Sequence, residues 1–63
     1  MNNTRRKPGS LAKFITKEQM EEAVAHTNSL YDVIEFLGFA HTESSREGII
    51  QRSMELGINL PTA

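Results

Sequence analysis

Ser29-Leu30-Tyr31-Asp32-Val33-Ile34-Glu35-Phe36-Leu37-Gly38-Phe39, residues 29–39, decides the fold. Leu30, Val33, Ile34 and Leu37 recur at i, i+3, i+4 and i+7, which places them on one face of a helix. Ser29 precedes them as a capping residue, and Asp32 takes the position from which a capping box is closed. Gly38 accepts the left-handed conformation that ends a helix. Phe39, just beyond it, is placed to fold back onto Ile34, the apolar contact that accompanies such an ending. The stretch therefore predicts a short helix over 30–37 with one apolar face and a sharp stop.

Signals on either side extend the pattern. Towards the N-terminus, Thr16 with Gln19 makes a capping box, and Ile15 with Met20 has the spacing of a hydrophobic staple. Glu18, Glu21 and Glu22 crowd the first turns, where the helix dipole favours negative charge. Met20, Ala23 and Val24 supply a buried stripe, with Thr27 at its margin, so a helix is expected over 17–26. Towards the C-terminus, Ser44 with Glu47 predicts a third cap and a helix over 45–56. Ile49, Ile50, Met54 and Leu56 are its apolar residues, and Gly57-Ile58 repeats the ending seen at Gly38-Phe39. Three helices with short connections must share one core. The expected class is all-α, a compact three-helix domain whose second and third helices form a helix-turn-helix-like pair. The expected core is Phe14, Met20, Val24, Leu30, Val33, Ile34, Leu37, Ile49 and Ile50.

Sixty-three residues make one domain of thin stability, about 3–5 kcal/mol from a single core. There is no cysteine, which excludes disulfides and thiolate metal sites. No segment reads as a membrane span or a secretory signal, so a cytoplasmic protein is expected, complete as it stands or a cleanly cut domain. The net charge of −1 hides a division. Residues 1–13 carry Arg5, Arg6, Lys7 and Lys13 and no acid, +4 in all. Residues 14–63 carry three cations against eight carboxylates, net −5. With Pro8-Gly9 as a breaker, 1–13 reads as a disordered basic arm and 14–63 as the folded domain.

Candidates for chemistry are few. His26 falls at the end of the first helix, where an imidazole suits the dipole, and His41 lies in a loop. Neither has the cysteine or carboxylate company of a zinc site. There is no glycine-rich phosphate loop and no nucleophile elbow. The expectation is a binding protein without enzymatic activity, cofactor, metal or small-molecule substrate.

From Ala23 to Ile58 the chain resembles the small helix-turn-helix modules found beside HNH-type homing and phage endonucleases, and in short phage proteins. The carrying residues are Ala23-Val24, then Ser29 and Val33, then Leu37-Gly38-Phe39, and a last helix with Ile49, Arg52 and Glu55 ending Leu56-Gly57-Ile58. The resemblance implies a phage-type helix-turn-helix fold and contact with DNA. It does not imply cleavage, since no nuclease motif is present. The chain departs from those modules in having only Arg46 and Arg52 as bases in its last helix, and Asn59-Leu60-Pro61 where a histidine motif would follow.

Two partner classes follow. In the first, the third helix reads double-stranded DNA through Ser44, Ser45, Arg46, Gln51 and Arg52, while Arg5, Arg6, Lys7 and Lys13 contact the backbone or minor groove. In the second, the acidic body docks onto a host or partner protein, as an inhibitor or adaptor would. Tyr31 and Phe36 are then the anchors, if they lie off the core face. Ile34 tests the common fold. Ile34→Ala should cost about 2–5 kcal/mol and unfold so marginal a domain, and a variant that melts like the wild type places Ile34 outside the core.

Overall fold

The computed structural model describes residues 6–61. A short 3-10 helix, Gly9–Phe14, is followed by α1, Lys17–Ala25, α2, Leu30–Phe36, and α3, Glu43–Leu56. The expected all-α, three-helix architecture is what forms. Among the described residues no helix is long and apolar enough to cross a membrane.

The caps explain where the helices begin. Thr16 Oγ1 accepts a hydrogen bond from Gln19 N at 3.1 Å, and Gln19 Oε1 accepts one from Thr16 N at 3.0 Å, which closes the predicted box. Ser29 Oγ accepts from Asp32 N at 3.2 Å. α3 starts two residues before the expected position, because Thr42 rather than Ser44 is its cap. Thr42 Oγ1 accepts from Ser45 N at 3.2 Å and donates to Ser45 Oγ at the same distance. Two capping residues compete here, and burial of Ser45 decides between them.

Both glycine endings form as expected. Gly38 and Gly57 have φ of 81° and 73°. Phe39 N donates to Ile34 O at 3.0 Å, and Ile58 N donates to Ser53 O at 2.9 Å. These are the long bonds of a Schellman ending, which satisfy carbonyls the helix would otherwise leave open.

Residues 6–13 correct the expectation of a free arm, while Arg5 and the rest of 1–5 lie outside the described residues. Lys7 N donates to Gly38 O at 2.9 Å and Lys7 O accepts from Ala40 N at 3.0 Å, a single parallel bridge beside Phe39. The 3-10 helix then packs across α3 at very short range. A Cβ on Gly9 would overlap the backbone carbonyl of Ser44. One on Gly48 would stand 2.7 Å from Gly9 O and 3.0 Å from the Ala12 Cβ. Glycine in a helix interior costs about 1 kcal/mol relative to alanine, and here the close approach of two backbones accounts for it.

The core is Ala12, Ile15, Met20, Ala23, Val33, Ile34, Phe39 and Ile49, with Leu30, Leu37, Leu56, Ile58 and Leu60 packed around it. Phe14 does not belong to it: the side chain is 67% exposed. Ala12 and Ile15, on either side of Phe14, are buried instead, because the 3-10 turn points those two positions inward. Val24 and Ile50 are half-buried at the margin.

Two alanine substitutions separate the two uses of glycine. Gly38→Ala meets no atom within 4 Å, so its cost is conformational, about 1–2 kcal/mol. Gly48→Ala should also destabilise, by about 1–3 kcal/mol of overpacking less what alanine returns to the helix. Thermal melts check both, and a Gly48→Ala protein that melts higher than the wild type would show that the two backbones are not in contact.

Candidate functional site

The residues expected to meet DNA do not form one surface. Ser45 is fully buried, and its hydroxyl is bonded to Thr42. It therefore cannot reach a partner, and its assignment as a contact is corrected to that of a buried capping partner. Arg52 is half-buried and already engaged within the protein's own contacts. Its Nε donates to Ile15 O at 2.8 Å and its Nη1 pairs with Glu55 at 3.1 Å. Ile15 follows the 3-10 helix and is buried, and its carbonyl accepts this part-buried hydrogen bond from the guanidinium. Arg52 is a tie between α3 and the N-terminal segment.

Ser44, Arg46 and Gln51 remain exposed on α3. At about 100° per residue, Arg46 and Gln51 diverge by about 140° around the axis, whereas Ser44 and Gln51 are nearly aligned. Glu47 and Glu55 flank that alignment, so the outward stripe of α3 is acidic. Gln51 joins Lys13, Ser10 and Glu55 in a shallow cleft along the seam between the 3-10 helix and α3. Lys13 Nζ lies 5.4 Å from the centre of the Phe14 ring. Arg46 faces the other way, beside Tyr31, Ile34, His41 and Thr42, and forms no ion pair among the described residues.

The N-terminal bases are placed by the backbone. The Lys7 bridge to Gly38 and Ala40 holds Arg6 and Lys7 beside the turn that leads into α3, and Lys7 Nζ stands 5.5 Å from the centre of the Phe39 ring. Gly9 rests on Ser44 in the first turn of α3. Ser44 and Arg46 lie in the first turn of α3, at the positive end of its dipole but on opposite sides of the axis, and the Lys7 side chain lies instead beside Phe14, Gln19 and Phe39. Glu43 is exposed at the same end. Arg5 is outside the described residues.

A second surface was only conditionally legible in the sequence. Tyr31 is 62% exposed and Phe36 47% exposed, on the side of α2 away from Val33 and Ile34. Tyr31 stacks on His41, ring centres 4.2 Å apart, and Phe36 on His26 at 5.7 Å. Glu35 approaches His41 at 4.0 Å. Neither histidine has metal-binding company: among the described residues no group of three or more metal-ligating side chains occurs.

No protein-family model, curated protein or solved structure matches the chain.

Arg52 and Arg46 should respond differently to truncation. Arg52→Ala removes a charged donor from a part-buried carbonyl and should cost about 1.5–3 kcal/mol of stability. Arg46→Ala is a surface change and should stay within about 0.5 kcal/mol. Urea titration followed by circular dichroism separates them, and equal midpoints would mean that Arg52 is not a structural tie.

Proposed function

We propose that this chain is a small non-enzymatic helix-turn-helix-like module, cytoplasmic and of phage type, that binds double-stranded DNA with the head of α3. The observation that carries the reading is the Lys7 bridge. Two backbone hydrogen bonds hold a basic stretch against the turn between α2 and α3, where helix-turn-helix proteins bring the N-terminal end of their second helix to the major groove. The resemblance of residues 23–58 to helix-turn-helix modules supports the same reading.

Electrostatics limits the mode of contact. DNA affinity comes largely from neutralising phosphates, and the outward stripe of α3 carries Glu47 and Glu55. The helix therefore does not lie lengthwise in a groove. It engages end-on, with Arg46 and Ser44 at the head and Arg6 and Lys7 on the flanking backbone, joined by Arg5. Gln51, two turns along α3 from Ser44, and Lys13, in the cleft beside Gln51, lie too far from the head of the helix to share that contact, while Ser45 is buried and Arg52 is tied to Ile15 and Glu55.

The test is a titration of labelled duplex at low and at physiological salt. Each phosphate contact contributes about −0.9 to the slope of log affinity against log salt. Replacing Arg5, Arg6 and Lys7 together by serine should flatten the slope by up to about 3 units without altering sequence preference, and Arg46→Ala by about 1. Glu43→Gln should strengthen binding to all sequences alike, by removing a charge that repels phosphate. Absence of binding at both salt concentrations overturns the reading.

A further inference from the structure

The aromatic residues are distributed against their usual preference. The chain has four, three phenylalanines and one tyrosine, and only Phe39 is in the core. A domain of this size has little apolar surface to leave in water. Yet Tyr31 and Phe36 stand exposed at the two edges of the outer face of α2, about 140° apart around the axis, with Asp32 and Glu35 between them. On a helix, residues four apart are neighbours, so Tyr31 adjoins Glu35 and Asp32 adjoins Phe36. Each ring is stacked on an imidazole from outside α2, Tyr31 on His41 and Phe36 on His26, with interplanar angles of 16° and 5°. Two pre-packed aromatic platforms thus lie among carboxylates.

Charge defines what such a face accepts. From Glu18 to Ser45 the chain carries Glu18, Glu21, Glu22, Asp32, Glu35 and Glu43, and neither lysine nor arginine. All six carboxylate residues are exposed. Arg46 stands at the edge of this face, beside Tyr31 and His41, and the six carboxylates outweigh it, so polyanions and anionic membranes are disfavoured here. A guanidinium is favoured twice, because it pairs with carboxylates through a planar fork and stacks on aromatic faces. We infer that the face formed by Tyr31, Asp32, Glu35 and Phe36, buttressed by His26 and His41, docks an arginine-rich segment of another protein. It shares no residue with the proposed DNA contact, although Arg46 of that contact borders it beside Tyr31 and His41. The imidazole stacks hold the rings in place before the partner arrives, so little side-chain freedom is lost on binding.

The probes are three labelled peptides in which glycine alternates with arginine, lysine or glutamate, titrated into the full chain by fluorescence anisotropy and mapped by NMR. The arginine peptide should bind most tightly, perturbing resonances of Tyr31, Phe36 and Glu35, and the glutamate peptide should not bind. Tyr31→Ser and Phe36→Ser, at exposed positions, should each weaken the arginine peptide by about 2–5-fold and the lysine peptide less. Asp32→Asn should weaken both cationic peptides. Circular dichroism melts confirm that each variant is folded. Equal binding of arginine and lysine peptides, unchanged by either aromatic substitution, overturns the inference and reduces the face to a diffuse acidic surface. So does sedimentation showing that the chain self-associates through Tyr31 and Phe36, which would make a second copy the occupant.

Discussion

The contact of Gly9 with Ser44 and Gly48 is the constraint on which the rest of the structure depends. Two backbones meet there with no side chain between them. That contact seats the 3-10 helix on α3 and turns Ala12 and Ile15 into the core. Everything N-terminal and C-terminal to the seam is registered by it. Upstream, Lys7 reaches Gly38 and Ala40. Downstream, the Ile15 carbonyl arrives within reach of Arg52. A free N-terminal arm would remove all of these at once and leave three short helices to share a smaller core.

A domain so small also uses its polar side chains for structure. Ser45 and Ser53 are buried within α3, and both hydroxyls are satisfied, Ser45 by Thr42 and Ser53 by the Ile50 carbonyl at 2.7 Å. Arg52 donates to the Ile15 carbonyl across the seam between α3 and the N-terminal segment. Among the described residues no buried side-chain nitrogen or oxygen lacks a partner. Groups that look available on a helical wheel, Ser45 and Arg52 among them, are engaged in holding the fold. Arg46 stays exposed at the head of α3, the outward side of α3 is acidic, and the outer face of α2 is aromatic and acidic.

Much of the fold was legible in residues whose effect is local. The Thr16–Gln19 box, the Ser29 cap and the Gly38 and Gly57 endings act through hydrogen bonds spanning a single turn, so three- and four-residue spacing was enough to place α1, α2 and the end of α3. The candidate site was less legible. Ser44, Arg46, Gln51 and Arg52 were grouped because they share one helix, but a helix distributes its residues around an axis and the sequence does not say which sides are covered. Tyr31 and Phe36 could be named as anchors only on condition that they lay off the core face. The Val33–Ile34 pair, packed inward, met that condition.

By itself, then, the sequence determined that this protein is all-α with three capped helices, that its charge is divided between a basic N-terminus and an acidic body, and that no catalytic motif stands in it. Those are properties of neighbours along the chain. Tertiary structure alone decided that Gly9 and Gly48 touch, that Thr42 rather than Ser44 caps α3, that Phe14 faces water while Ala12 and Ile15 do not, and that Arg52 is tied to Ile15. Each of these depends on packing between residues far apart in sequence. A one-dimensional pattern records which residues are apolar, small or charged, but not which of them a neighbouring element will cover.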